Sequence, residues 1–247
     1  MIMTVINKRL SSIYLVALTA TIILLTSPSS LIHAASNEAS IAFLEENAKD
    51  PNVMTLPSGL QFKILRTGIG GYHPEVDSPT ECHYKGTLID RKTVFDSSYD
   101  RGAPATFQPR QVIKGWTEAM QLMVEGDKWE LVIPSELGYG DRGSGAHIKG
   151  GDALIFVMEM INIKGTKVAD KFEVRCDVGS EKRCNEKELR YVESAKKKFG
   201  SDDDTSSEIE RIKRISSKGS DKVIDWCNRR IRILNQLKGT GGEGKEL

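Results

Sequence analysis

The chain has 247 residues, with a formal net charge of +1, 39% hydrophobic residues and 28% charged residues. The near-neutral charge gives no support for a protein whose main partner is nucleic acid or a strongly acidic surface. Because the length exceeds that of a typical single domain, the composition predicts a soluble globular protein with one main domain and a smaller appendage.

Residues 1–35 have the order of a secretory signal peptide. Lys8 and Arg9 precede an apolar run, Leu10–Leu25, and small residues follow up to a cleavage site expected near Ala34–Ser36. The run is shorter than the ~20 residues of a membrane-spanning helix. We therefore expect removal of this segment and no stable membrane span afterwards. An uncleaved signal anchor is the alternative.

Residues 36–55 are predicted to form a helical lead-in. The stretch NEASIAFLEENAK favours a helix because Ile41 and Leu44 fall on one face, and Asp50-Pro51 ends it.

The main domain is predicted over residues 56–165 and consists mostly of strands. Period-two alternation or continuous apolar runs predict five strands: LQFKIL (60–65), ECHYKGTLI (81–89), VFDSS (94–98), KWELVIP (128–134) and ALIFVMEMINI (153–163). One short helix, VIKGWTEAMQLM (112–123), interrupts them. This order indicates an α+β fold with antiparallel strands and argues against alternating βαβ units.

Residues 166–238 are predicted to form a small domain of three amphipathic helices, followed by a flexible tail, 239–247. Asn185 and Glu188 form a capping box for the first helix, SDDDTSS caps the second, and Ser220 caps the third. We interpret the arginines of NRRIRILNQLK in the third helix as a solvated face. About 60 residues is close to the lower size limit for independent stability, so a disulfide would help.

The four cysteines are compatible with a disulfide in this small domain. Cys176–Cys184 closes a short loop and is the preferred bridge, whereas Cys184–Cys227 would join two helices and is the rival. Cys82 falls at a buried strand position and is interpreted as a free core thiol. No spacing fits a zinc site.

Three further patterns are not interpreted as sites. GYGDRG (138–143) matches a dinucleotide-binding pattern, but it neither follows a strand directly nor opens a helix. Asp202–Asp204 lacks the spacing of a calcium loop and suits a solvated helix start. His73, His83 and His147 are scattered. We therefore expect no metal and no cofactor.

Aromatic residues are spread over the separate elements of the main domain. Six of them, with Val112, Ile113 and Ile148, suit either a hydrophobic core or an apolar pocket with a polar rim that includes Asp96 and Arg101. The six are Tyr84, Phe95, Phe107, Trp116, Tyr139 and Phe156.

The order and spacing of several segments resemble the FK506-binding type of peptidyl-prolyl isomerase. These segments are HYKGTLIDRKTVFDSSYDRG, FQPRQVIKGW, EAMQLMVEGDKWELVIPSELGYG and ALIFVMEM, and they span about Leu56–Ile163. The stretch LEENAKDPNVMTLPSGLQFKIL resembles the entry to the macrophage-infectivity-potentiator subgroup. Members of that subgroup carry a long dimerising helix before this point, and the short mature segment here predicts a monomer.

The resemblance implies an antiparallel half-barrel wrapped on one helix, with the pocket between them. It assigns catalytic roles to Tyr84, Asp96, Ile113 and Tyr139, with the Ile113 N–H and Tyr139 binding substrate carbonyls. It places Trp116 as the pocket floor, and Gly115 lets the chain turn into the helix. The substrate-binding set that it implies is Phe95, Arg101, Phe107, Val112, Trp116, Ile148 and Phe156.

Two departures from the family pattern bear on the ligands. Ala105 stands where the family often has an aromatic wall residue, and Lys149-Gly150-Gly151 follows Ile148 where many members have proline. We expect the first to open one wall and the second to loosen the loop. Both departures affect the binding of FK506- or rapamycin-type macrolides more than catalysis.

The resemblance predicts a peptidyl-prolyl cis-trans isomerase of the secretory pathway that acts on proline-containing polypeptides. A catalytically weak proline-binding or chaperone module, with the helical part recruiting partners, is the alternative. The C-terminal Glu-Leu only partly matches a retrieval signal for the endoplasmic reticulum, so lumenal retention and secretion both stay open.

Overall fold

The structure is a computed structural model that describes residues 36–171, 173–199 and 201–240. The predicted signal peptide and most of the predicted tail, including the retrieval-like C-terminus, lie outside the described residues. No helix within the described ranges has the length and apolar character needed to cross a membrane.

The described residues form an antiparallel sheet, a small two-stranded sheet and five α-helices, which confirms the α+β prediction. The strands are β1 Val53–Thr55, β2 Gln61–Arg66, β3 Tyr72–Pro74, β4 Thr80–Leu88, β5 Val94–Ser97, β6 Ala105–Phe107, β7 Lys128–Ile133, β8 Leu154–Ile163 and β9 Lys167–Ala169. The helices are α1 Glu38–Asn47, α2 Lys114–Met120, α3 Glu186–Lys198, α4 Asp202–Ser216 and α5 Asp221–Thr240.

The large sheet has seven strands in the order β1-β2-β7-β8-β4-β5, and β6 also pairs with β4. The strands β3 and β9 form the separate small sheet. Every pairing is antiparallel, and the longest register joins β4 to β8 from Thr80–Ile163 to Leu88–Leu154. The central strands β7 and β8 are the most buried because helices pack beside them.

Helix α2 packs against the large sheet through Trp116, Ala119 and Met120, which are buried in the main core. The other side of the sheet is covered by α1, whose Leu44 is buried beside Val132 and Ile155. The alternation along β7 directs neighbouring side chains to opposite faces, so one strand serves both cores.

Gly115 has a different role from the one expected. An added Cβ would lie 2.6 Å from Ile133 Cγ2, and the backbone of Gly115 does not adopt a positive φ. The glycine is therefore required for close packing of α2 against β7 and not for a turn. This contact fixes the start of the helix that carries Trp116.

Helices α3, α4 and α5 pack into a small core formed by residues such as Ile212, Cys227 and Leu234. The capping box of Asn185 and Glu188 is confirmed. The prediction that the arginines of α5 form a solvated face is wrong. Arg232 is 7% exposed, and Arg229 binds Glu188 at 2.9 Å. These arginines face buried carboxylates, since unpaired burial of either charge would be costly.

The disulfide joins Cys176 to Cys184, which confirms the preferred pairing, and Cys82 and Cys227 are buried free thiols. The bridge closes a loop with a sequence separation of 8. A loop of that length is expected to stabilise the folded chain by about 2.5 kcal/mol through restriction of the unfolded state.

Replacing both Cys176 and Cys184 with serine should therefore lower the free energy of unfolding by about 2–3 kcal/mol. Urea denaturation followed by circular dichroism measures this change. Cys227→Ser/Cys82→Ser is not a suitable control, because both thiols are buried. Wild-type protein in reductant provides the comparison, and an unchanged urea midpoint would contradict the prediction.

Candidate functional site

A pocket of about 380 Å³ lies between the large sheet and the N-terminal end of α2. Its walls come from β4, β5, β6, β8, the entry to α2 and the loop after β7. The lining residues are Tyr84, Phe95, Asp96, Phe107, Gln111, Val112, Ile113, Trp116, Tyr139 and Phe156. The lining is thus mostly aromatic and aliphatic, with one carboxylate.

Trp116 is held at the bottom of this pocket by three aromatic rings. Its ring centroid lies 5.0 Å from Tyr84, 5.4 Å from Phe107 and 5.1 Å from Phe156, each in an edge-to-face arrangement. Such pairs each add about 0.5–1.5 kcal/mol beyond burial. Trp116 is only 4% exposed, so the tryptophan is a rigid floor.

Asp96 is fixed at the rim by two partners. The Tyr84 hydroxyl donates to Asp96 Oδ2 at 2.6 Å, and Arg101 pairs with Asp96 Oδ1 while its Nη2 donates to the Tyr84 oxygen at 2.6 Å. Burial by itself would raise the pKa of Asp96, but the hydrogen bond from Tyr84 and the Arg101 guanidinium hold it below the ordinary value. The carboxylate is therefore charged and oriented at neutral pH.

Two hydrogen-bond donors at the pocket are free to bind a ligand. The backbone N–H of Ile113 donates to no group in the described part of the chain, and the same holds for the Tyr139 hydroxyl. Burial, with a smaller contribution from the charge of Asp96, raises the pKa of Tyr139, so its hydroxyl stays protonated. Both groups can meet a carbonyl oxygen of a bound peptide.

Nine of the eleven residues predicted for the site lie in the pocket lining. The other two are Arg101, which is exposed at the rim and bound to Asp96, and Ile148, which is 7% exposed within the core cluster around Trp116. Gln111 lines the pocket but was not predicted. Its position directly before Val112 is the only sequence signal that could have found it.

The loop that carries Tyr139 is closely hydrogen bonded. Ser144 and Ile148 exchange backbone hydrogen bonds of 2.9 and 3.2 Å, and Gly151 N donates to Gly140 O at 3.1 Å. An added Cβ on Gly150 would lie 2.1 Å from Asp141 O. The glycines after Ile148 therefore permit close backbone approach, which differs from the expected loosening.

None of the three histidines in the described residues lines this pocket, and neither does the acidic run Asp202–Asp204. His83 contacts Ser98 Oγ at 2.9 Å, and His73 lies 3.2 Å from an oxygen of Asp170. The described ranges contain no group of three or more histidine, cysteine or acidic residues suited to a metal ion. The run at Asp202–Asp204 begins α4, where Ser201 is the cap.

Two parts of the chain match known protein families. Residues 71–161 match the family described as FKBP-type peptidyl-prolyl cis-trans isomerase, and residues 30–64 match the domain amino terminal to FKBP-type peptidyl-prolyl isomerase. A solved peptidyl-prolyl cis-trans isomerase from Pseudomonas syringae pv. tomato is 33% identical, with 98% of that protein and 57% of this chain covered and a TM-score of 0.48.

Over residues 71–161 the chain belongs to the FKBP-type peptidyl-prolyl cis-trans isomerase family. Among curated FKBP-type relatives, the macrophage infectivity potentiator of Trypanosoma cruzi is 51% identical over 122 residues, which are 49% of this chain and 62% of that protein. The FKBP-type 22 kDa peptidyl-prolyl cis-trans isomerase of Escherichia coli K12 is 49% identical over 50% of this chain and 59% of its own length. The chain thus spans about three-fifths of the length of these two relatives.

Proposed function

We propose that this protein is a peptidyl-prolyl cis-trans isomerase that binds an X–Pro segment in the aromatic pocket and accelerates rotation about its peptide bond. The observation that carries the proposal is the rigid Trp116 floor beneath a fixed Asp96 carboxylate and two free donors. An apolar floor suits the proline ring, and the donors suit the carbonyls on either side.

The isomerisation reaction requires no chemical group beyond those that line this pocket. Rotation about X–Pro crosses a barrier of ~18–20 kcal/mol without breaking a covalent bond, so no nucleophile or metal is required. Removal of water disfavours the charge-separated resonance form that keeps the amide planar. A pocket that binds the twisted amide better than either planar isomer lowers the barrier.

Within this proposal, three residues act directly on the substrate and a fourth positions one of them. The Ile113 N–H and the Tyr139 hydroxyl bind substrate carbonyls, and Asp96 places a fixed negative charge beside the twisting amide. Tyr84 orients Asp96. The remaining predicted residues shape the pocket for the proline ring and its neighbours, and Arg101 holds the carboxylate in place.

We further propose that the protein acts as a monomer in the secretory pathway on proline-containing polypeptides. The signal-like order of residues 1–35 and the Cys176–Cys184 disulfide support an oxidising compartment. The protein is then either retained in the endoplasmic reticulum or secreted. Deleting Gly244–Leu247 and measuring the protein outside the cell distinguishes them, since loss of a retrieval signal increases export.

The activity test uses the purified protein and a Leu-Pro or Phe-Pro tetrapeptide. Spontaneous cis-trans exchange takes tens of seconds, so acceleration by micromolar protein is measured directly. FK506 is expected to inhibit if the pocket is closed, because it would then occupy the same site. Peptide binding without acceleration would refute the isomerase assignment and favour a proline-binding module.

The pH profile gives a second test of this chemistry. Because the folded pKa of Asp96 is depressed, its charge and its contribution to stability are present above the ordinary carboxyl pKa of ~3.9 and are lost only as the pH falls through the lower folded value. The pKa values of Tyr84 and Tyr139 are raised. We therefore expect kcat/KM to stay flat from about pH 5 to 8. A transition near pH 6.5 would instead implicate a histidine.

A further inference from the structure

The turn that follows α2 is held by a buried carboxylate. Asp127 is fully buried, and its side chain accepts backbone hydrogen bonds from Gly68 at 2.6 Å and from Val124 at 2.9 Å. These two bonds tie the end of the α2 region to the segment after β2. A buried carboxylate in this position requires a cation nearby, since an isolated buried charge is strongly destabilising.

That cation comes from outside the sheet. Arg175 is 4% exposed, forms an ion pair with Asp127, and donates from Nη1 to the Leu122 carbonyl at 2.9 Å. Its guanidinium carbon also lies 5.6 Å from the ring centroid of Trp129 in β7. One side chain thus contacts the turn after α2 at two points and the sheet at a third.

Arg175 is joined to the C-terminal helices through a second buried carboxylate. Asp170 lies 3.6 Å from Arg175 Nη1 and forms an ion pair with Arg232 of α5. Arg232 Nη1 also donates to Gly70 O at 2.5 Å, and His73 reaches both Asp170 at 3.2 Å and Met123 O at 3.4 Å. The helical extension is therefore anchored around the turn after α2.

The anchored turn is continuous with the pocket helix. Leu122 N and Met123 N both donate to Ala119 O at 3.0 Å, so Leu122 belongs to the last turn that leaves α2. The helix has seven residues and a length of ~10 Å at 1.5 Å per residue. A helix this short moves as one body, and its first turn carries Trp116, three residues after Ile113 at the N-cap.

We propose that Arg175 is a positioning residue for the isomerase pocket, which docks the C-terminal extension onto the end of α2 and so sets the place of Ile113 and Trp116. This inference rests on the proposed function, because the pocket is taken to be the reaction site. Arg175 itself lies behind the pocket and touches no substrate. The C-terminal extension then helps to hold the pocket residues in the geometry that the reaction needs.

The test compares Arg175→Met with a matched control, Arg230→Met. Arg230 is 18% exposed at its side chain and pairs with the buried Glu208 at 2.8 Å, so its loss also breaks a partly buried pair, but one inside the helical unit. Arg175→Met is expected to lower kcat/KM for a Leu-Pro tetrapeptide by fivefold or more, with most of the change in kcat. Arg230→Met is expected to change it by less than twofold.

Two more variants make the result specific. Arg175→Lys keeps one charge but cannot bind Asp127 and Leu122 O together in the guanidinium geometry, so it should recover only part of the activity. If Arg175→Met does not fold, the double variant Arg175→Met/Asp127→Asn removes the buried pair together and leaves no uncompensated charge. It should show the same fall in kcat/KM.

Amide hydrogen exchange separates failure of this inference from failure of the proposed function. Exchange at residues 113–124 should become faster in Arg175→Met and stay unchanged in Arg230→Met, whether or not the wild type accelerates isomerisation. Unchanged exchange and unchanged kcat/KM in folded Arg175→Met would overturn the positioning role. An equal fall in kcat/KM in the two single variants would also overturn it.

Discussion

Asp96→Asn should lower kcat/KM for a proline tetrapeptide by about tenfold or more while the protein stays folded. Loss of one fixed electrostatic group at a reaction site costs about 10²–10³ where it acts directly on the reacting atoms, and the charge here acts on a modest dipole. Asparagine keeps the shape of the side chain but removes the charge that Arg101 and Tyr84 orient. A coupled assay for cis-trans exchange measures the change.

The matched control for this prediction is Asp100→Asn. Asp100 is exposed in the turn just after β5, four residues from Asp96, and does not line the pocket. The Asp100→Asn substitution removes the same formal charge but leaves the contacts of Asp96 with Tyr84 and Arg101 unchanged. Full activity in folded Asp96→Asn, or equal losses in both variants, would exclude a direct role for the carboxylate.

Gly86→Ala should weaken peptide binding. An added Cβ would lie 2.5 Å from Phe95 Cε2 and 2.7 Å from Phe156 Cε1, so both rings would have to move. Phe156 also packs on Trp116 at 5.1 Å, and the displacement therefore reaches the pocket floor. Such overpacking costs about 1–3 kcal/mol of stability. We expect the peptide Kd to rise at least tenfold in calorimetric titration.

Gly71→Ala is the control for this substitution. An added Cβ at Gly71 meets no atom within 4 Å, and the residue does not have a positive φ. It should bind peptide like the wild type. If Gly86→Ala also binds normally, the walls formed by Phe95 and Phe156 yield more easily than their packing indicates, and the proposed pocket shape would be wrong.

The longer strands were predictable because each spans enough residues to display its period. The five predicted strands correspond to β2, β4, β5, β7 and β8. The strands β1, β3, β6 and β9 have three residues each, which is too short for alternation to be visible. They form because partner strands supply their hydrogen bonds, and for β3 that partner is the distant β9.

Most of the candidate site was predictable because the motifs hold their spacing along the chain. What spacing cannot give is contact between distant segments. Arg175 and Asp127 are 48 residues apart in the sequence. The arginines of α5 were predicted to be solvated because the composition of that helix does not show which residues of other elements face them. Their acidic partners lie on other elements, so only the tertiary fold brings each buried cation to its carboxylate.

The placement of the tryptophans has a practical consequence. The chain contains three tryptophans, and each lies in a different region of the fold. Trp116 lies in the pocket, Trp129 lies in β7 against the Arg175 guanidinium, and Trp226 lies in the helical extension against the Lys187 ammonium. The first two are buried, and Trp226 is half-buried. Intrinsic fluorescence can therefore be divided among three internal reporters, with bluer emission from the two buried indoles. Variants that retain a single indole would then follow ligand occupancy, docking of the extension and melting of the bundle separately in one molecule.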